Sequence, residues 1–187
     1  MEPRWLAEPS TPTTLPHLPM IRVKPGPPLT GVITSSKLVG VPTHYMSRRT
    51  LPCIDADCPG CAGKLPRRDE WYVSMWTASP SKHTIVALTP AVAWQIKNDF
   101  HAPATYRALG ITLHRAGRAA NTRLLVECRE LETAQLRLPA EPDLIAHLLH
   151  IWGLDQGHLA QDDPAYVNRV KEHYRGNGRS ADAHTTG

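Results

Sequence analysis

One histidine and three cysteines lie close together in the first third of the chain, in the order His44, Cys53, Cys58 and Cys61. Their spacing is His-x8-Cys-x4-Cys-x2-Cys, and the short Cys-Pro-Gly-Cys step allows two sulfurs to face one ion at about 2.3 Å. Thiolates combined with one imidazole select zinc over magnesium or calcium. A closed four-ligand site leaves no position for a substrate water, so the pattern predicts a structural Zn²⁺ and no reaction centre.

The predicted zinc site takes one nitrogen ligand and leaves one of the four cysteines outside the cluster. His44 is the predicted nitrogen ligand, and His83 and His17 are the alternatives that the sequence leaves open. Four cysteines could form two disulfides, but the crowding of three of them favours metal ligation in a reducing cytosol. Cys128 follows the apolar run 124–126, and we expect a buried, inert thiol there.

Basic residues surround the cysteines and recur in a later turn. The chain has a net charge of +4, and the four arginines between residues 107 and 125 are accompanied by no acid. This distribution favours a polyanionic partner, although a solvated basic face is an alternative. The candidate phosphate contacts are Arg48, Arg49, Lys64, Arg67 and Arg68 near the cysteines, and Arg115, Arg118 and Arg123 in the turn.

Aromatic residues are interleaved with these cations. The segment 71–77 is rich in aromatic and β-branched residues and is predicted as a strand. Alternation places Trp71 beside Val73 and Met75, so we assign Trp71 to the core. The opposite face carries Tyr72 and Trp76, which together with Tyr45 are the candidates for stacking on unpaired bases. In the alternative, all these rings fill the core.

The order of strands and helices predicts a mainly β fold with helices, of the α+β class. Strands are expected at 31–41, 43–46, 71–77, 83–89, 110–115 and 122–128, and helices at 90–100, 142–152 and 164–174. A helix between two hairpins suggests a small OB-type barrel with a zinc-knuckle insertion and C-terminal helices. The expected domains are a proline-rich extended arm at 1–28, an OB-like domain at 29–153 with the zinc knuckle at 42–64, and a C-terminal helix and flexible tail at 154–187.

Several function classes are disfavoured. No apolar run approaches the ~20 residues needed to cross a bilayer, and no secretory signal is recognisable, so we expect a cytoplasmic protein without membrane contact. The patterns of zinc deaminases, P-loop proteins, serine hydrolases and zincins do not occur, which predicts a non-enzymatic role. Two alternatives stay open. One is a zinc-knuckle adaptor that binds protein, and the other is a metal-dependent nuclease using Asp55, Asp57, Asp69 and Glu70.

The order of motifs along residues 30–128 is the basis for a family resemblance. A histidine in an extended segment precedes a cysteine and a Cys-x2-Cys pair, followed by the aromatic strand 71–76, a hairpin and a helix containing Trp94-Gln95-Ile96. This order resembles the zinc-containing single-stranded-DNA-binding proteins of tailed bacteriophages. The gaps between ligands are shorter here, the arm is proline-rich where that family has a basic one, and residues 167–187 are not acidic as that family's tail is.

The resemblance implies an OB-fold attached to the zinc subdomain. It also implies that His44, Cys53, Cys58 and Cys61 bind zinc, and that Tyr45, Tyr72 and Trp76 stack on bases. The implied partner is single-stranded DNA, with RNA as an open alternative, in replication, recombination or mobile-element biology. Replication or recombination proteins are the other partners it suggests.

Overall fold

The computed structural model describes residues 17–46, 48–53, 58–78, 80–100, 104–131 and 137–152. Eight strands and three helices are defined in these ranges. The strands are β1 (Met20–Arg22), β2 (Leu29–Ile33), β3 (Val39–Met46), β4 (Arg49–Pro52), β5 (Arg67–Ala78), β6 (Ser81–Leu88), β7 (Leu109–Arg115) and β8 (Leu124–Glu130). The helices are α1 (Pro59–Ala62), α2 (Pro90–Asp99) and α3 (Leu144–Ile151).

The strands form one mixed sheet. Its order is β1-β6-β5-β2-β7-β8, and β3 pairs with both β4 and β5. The β1–β6 pair is parallel, whereas the β5–β6 and β7–β8 hairpins are antiparallel. The predicted α+β class, mainly β with a few helices, is confirmed. Closure into an OB-type barrel stays a prediction.

The chain divides into two compact units. The first comprises Met1–Gly40 and Asp69–Leu148, and the second comprises Val41–Arg68 and Leu149–Gly187. The predicted domain boundaries remain predictions. The predicted C-terminal segment 154–187 and the first sixteen residues of the predicted arm lie outside the described residues. None of the described helices is long and apolar enough to cross a membrane.

The core of the first unit is built from the two hairpins and α2. Helix α2 begins as predicted, with Pro90 in its first turn and the Thr89 hydroxyl accepting a hydrogen bond from Val92 N at 3.4 Å. Val92 and Ile96 are buried against β-strand residues that include Val73, Met75, Val86, Ile111 and Leu113. Burial of each such side chain contributes about 1.5–3 kcal/mol. Trp71 packs against this core, as its shared face with Val73 and Met75 predicts.

Local patterns missed three features of this unit. The predicted arm contains β1, because Pro19 O accepts hydrogen bonds from Ile85 N and from the Thr84 hydroxyl. The single strand predicted at 31–41 is split into β2 and β3. Strand β5 begins four residues before the predicted position, at Arg67.

A buried polar network crosses the sheet between β2 and the β5–β6 hairpin. The Thr34 hydroxyl lies 2.7 Å from both Ser74 Oγ and His83 Nε2. Arg107 bonds to the Thr34 carbonyl through Nη1 and to the Pro139 carbonyl through Nη2, each at 2.6 Å. Desolvation lowers the pKa of His83, and the neighbouring His147 and Arg107 lower it further. A neutral His83 is therefore the form that the fold favours.

Protonation of His83 should destabilise the first unit. In the unfolded chain His83 titrates near its ordinary pKa of about 6.5, whereas its pKa in the fold is lower, so the unfolded chain binds more protons on acidification. The stabilisation is complete above about pH 6.5 and is lost as the pH falls through the folded pKa. We expect His83→Gln to flatten the fall in urea midpoint between pH 7.5 and 5. The wild-type protein and the variant share every other titratable group, so parallel curves would contradict the prediction.

Candidate metal centre

The β3–β4 hairpin positions the histidine of the cluster. His44 pairs with Leu51, and the last registered pair is Met46 with Arg49. Arg48, directly before this Arg49, has a left-handed φ of 63°. Pro42 lies inside β3, where it was expected to interrupt the strand. Its carbonyl accepts a 2.7 Å hydrogen bond from Cys53 N, which holds the first cysteine beside the hairpin.

The other two cysteines are positioned by α1. Cys58 is the N-cap residue and Pro59 occupies the first helical position, where its missing N–H costs nothing. Ala62 N donates to Cys58 O, and Leu65 N donates to Gly60 O, each at 2.9 Å. Residues three apart on a helical turn project to the same side, so Cys58 and Cys61 face one point.

The four ligand atoms converge. All lie within 4.8 Å of one another. Cys61 Sγ is 3.5 Å from Cys53 Sγ and 3.4 Å from His44 Nε2. Tetrahedral zinc with bonds of about 2.3 Å to sulfur and about 2.0–2.1 Å to nitrogen places sulfurs about 3.8 Å apart and a sulfur about 3.5 Å from the nitrogen. The arrangement fits a metal ion, and the sulfur–sulfur distance is too long for a disulfide bond.

The burial of His44 is difficult to account for without a metal. Its side chain is 1% exposed, and Nδ1 has no hydrogen-bond partner among the described residues. A buried polar group left unpaired costs about 1–3 kcal/mol. Coordination of Nε2 by a cation gives the imidazole an interaction strong enough to offset that cost.

The donor set fits structural zinc. Three thiolates and one imidazole match a closed Cys₃His site and fill all four positions. His44 is the fourth ligand, because His83 is bonded to Thr34 and His17 packs edge-on against His147 in the first unit. Zn²⁺ with three thiolates carries one net negative charge, which the nearby arginines and lysine along the chain offset.

Gly60 is required by the position of the His44 ring. A Cβ atom at residue 60 would lie 2.5 Å from His44 Cγ and 2.6 Å from Cδ2. These distances are well inside van der Waals contact, and the ring cannot retreat because it is buried. The sequence gives no sign of this contact beyond the glycine between the cysteines, so sequence reasoning missed its role.

Gly60→Ala should therefore displace the imidazole and weaken zinc binding. We expect a loss of about 10–100-fold in zinc affinity, the range for changes next to a metal ligand. Competition with a chromophoric chelator measures it. Gly63→Ala is the matched control, because its Cβ would first meet a carbonyl at 3.2 Å, which a small shift relieves. Equal affinities for the two variants would contradict the contact.

Cys128 differs from the other three cysteines. It lies on β8, is half-buried and packs against the core of the first unit. Desolvation, with a contribution from Asp99, raises the pKa of Cys128 to about 11. The thiol is therefore protonated at neutral pH and weakly reactive, as expected from the sequence.

Variants of the different cysteines should also differ in the zinc content of the purified protein. Cys58→Ser is expected to lose the single zinc equivalent per chain, because zinc coordination in such sites is worth about 10–16 kcal/mol and a hydroxyl is a poor substitute for a thiolate. Cys128→Ser should keep it. Atomic emission on the purified proteins gives the stoichiometry. Zinc retained by Cys58→Ser at full occupancy would show that the ligand set is wrong.

The predicted nucleic-acid contacts fall into both units. In the second unit Tyr45 is 62% exposed. Among the described residues of the same unit, the exposed arginines and lysine are Arg48, Arg49, Lys64, Arg67 and Arg68. These six residues occur in the unit that carries the zinc ligands. Tyr45 lies on β3, Arg48 precedes β4, Arg49 lies on β4, Lys64 follows α1, and Arg67 and Arg68 begin β5.

The predicted contacts of the first unit are less uniform. Tyr72 is fully buried and its hydroxyl donates to Glu70 Oε2 at 2.7 Å, so it is corrected from a stacking residue to a core residue. Both faces of β5 are covered at this point, which alternation cannot reveal. Arg115 is partly buried and donates to the carbonyls of Val23 and Thr122.

Arg115 braces the turn through these hydrogen bonds, whereas Arg118 and Arg123 are exposed and their contact with phosphate stays a prediction. Trp76 is half-buried, with its ring 6.0 Å from that of His83 in an edge-on arrangement. Trp94 is 60% exposed, an exposure that its position off the buried stripe of α2 could have indicated.

The chain was compared with known proteins at three levels. No family model, no curated protein and no solved structure matches it. The fold and site define an α+β protein with a Cys₃His metal cluster of structural type. The resemblance to bacteriophage proteins stays a prediction.

Proposed function

We propose that this chain is a non-enzymatic protein that binds single-stranded DNA, stabilised by structural zinc. The observation that supports the proposal most directly is the chemistry of the second unit. Tyr45 is exposed next to the buried ligand His44, and five exposed cations accompany it. Sequence-independent binding to single strands combines such groups, with cations along the phosphates and an aromatic ring under a base.

Zinc would act on binding indirectly. It holds the β3–β4 hairpin against α1, so that Tyr45 and the cations are presented with little loss of conformational entropy on binding. Arginine suits the role because its planar guanidinium donates two parallel hydrogen bonds to a phosphate. A stacked base contributes about 1–3 kcal/mol and carries little sequence preference.

The experiment is an anisotropy titration of a labelled single-stranded oligonucleotide over a range of salt concentrations. If all five cations contact phosphates, the log–log slope should be about −3.5, since each contributes about −0.7. Replacing Arg48 and Arg49 together by Gln should reduce its magnitude by about 1.4. Replacing Lys24 and Lys37 together by Gln, which removes two exposed cations of the first unit, is the matched control and should change the slope less.

The same titration measures the contribution of the Tyr45 ring to the binding free energy. Tyr45→Ala should weaken binding by about 1–3 kcal/mol, and Tyr45→Phe should retain most of the affinity because the ring remains. Tyr45 is exposed, so neither variant should disturb the fold. A salt-independent affinity, or equal affinities of the two Tyr45 variants, would refute the mechanism.

The same assay separates the alternatives. A protein adaptor would leave the oligonucleotide unbound at low salt. A nuclease would shorten it on addition of magnesium. Of the four acids considered for such a site, Asp55 and Asp57 lie outside the described residues, and Asp69 is exposed.

A further inference from the structure

A cavity of about 250 Å³ lies in the first unit, beside the end of α2 and the β7–β8 hairpin. Its walls include Phe100, Tyr106, Arg107, Leu109, Glu130 and Leu131. It is distinct from the zinc cluster, which belongs to the second unit. Two aromatic rings and two leucines give it an apolar interior, and an acid and an arginine lie at its wall.

The wall formed by residues 105–109 is rigidly built. Tyr106 N donates to Ser36 O at 3.0 Å, and Ala108 N donates to Ile33 O at 2.9 Å. Ala108 has a φ of 74°, a left-handed conformation that costs a non-glycine residue about 1 kcal/mol or more. The surrounding hydrogen bonds hold it there. Strained backbone of this kind is concentrated at ligand sites, which makes the cavity a candidate site.

The polar groups of the cavity differ in whether they already make hydrogen bonds within the protein. Both Nη atoms of Arg107 already donate to backbone carbonyls. Glu130 is exposed and lies at the open edge of the cavity, and no hydrogen bond within the described residues engages its carboxylate or the hydroxyl of the buried Tyr106. Glu130 pairs across the hairpin with Leu109, so its side chain stands on the face of the sheet that Leu109 lines. The groups available to a ligand are therefore a carboxylate and a phenol.

We infer that this cavity receives one unpaired nucleobase that carries an exocyclic amino group. The aromatic and aliphatic walls suit a flat ring, and the Glu130 carboxylate suits an amino donor such as N4 of cytosine. A phosphate is disfavoured because the unpaired charge is negative. An apolar side chain of a protein would leave the carboxylate and the phenol without partners on burial. The inference rests on the proposed function, since the base belongs to the bound strand.

The test compares labelled oligo(dC) and oligo(dT) of equal length with the full zinc-loaded protein at one salt concentration. Thymine presents a carbonyl where cytosine presents the amino group, so oligo(dC) should bind at least about fivefold more tightly, which corresponds to about 1 kcal/mol. Glu130→Gln should reduce this preference, because an amide can donate to thymine O4 as well as accept from cytosine. Tyr106→Phe tests the phenol in the same way.

Glu127→Gln is the matched control. It removes the same charge from the same strand, three residues away and therefore on the opposite face. Loss of the repulsion between a carboxylate and the DNA phosphates should therefore raise the affinity of both variants equally. A preference for oligo(dC) that Glu130→Gln diminishes and Glu127→Gln leaves intact supports the inference. Equal affinities for the two oligonucleotides, or equal effects of the two variants, overturn it while the proposed function stands. If neither oligonucleotide binds, both fail.

Discussion

The contact between the His44 ring and the backbone at Gly60 is the constraint on which the zinc-bearing unit depends. The imidazole reaches the sulfurs only because residue 60 has no side chain, and coordination of Nε2 would offset the cost of burying a ring whose Nδ1 has no partner among the described residues. The β3–β4 hairpin and the helical turn α1 are each too short to be stable alone. Coordination links them, so the folding of this unit and the binding of its metal are one equilibrium.

The same constraint separates the buried ligand from its solvent-facing neighbour along β3. His44 faces inward, where it can coordinate the metal, and its neighbour Tyr45 therefore faces solvent. The first unit differs in that both faces of β5 are covered by other residues. There a buried network joins Thr34, Ser74 and His83, and a cavity lies beside the end of α2.

Local sequence signals anticipated those features that are themselves local. Ligand type and spacing identified the metal cluster, and the order of strand and helix patterns predicted both hairpins and the helix that begins at Pro90. Long-range pairing was not accessible in this way. Tyr72 was misassigned because alternation gives the two faces of a strand but not which of them is covered, and Arg115 because its carbonyl acceptor at Val23 lies 92 residues away. Pro42 is tolerated in β3 because its carbonyl, not its missing N–H, makes the bond to Cys53.

The short strand β1 has a consequence for how the chain can be shortened. Three residues pair in parallel with β6 and shield its outer hydrogen-bonding groups. A fragment that starts at Leu29, where the predicted proline-rich arm ends, would lose this shield and expose an unprotected sheet edge rich in Ile, Val and Ala. Exposed edges of that composition join to one another, so such a fragment is prone to aggregate even though most of its core is intact.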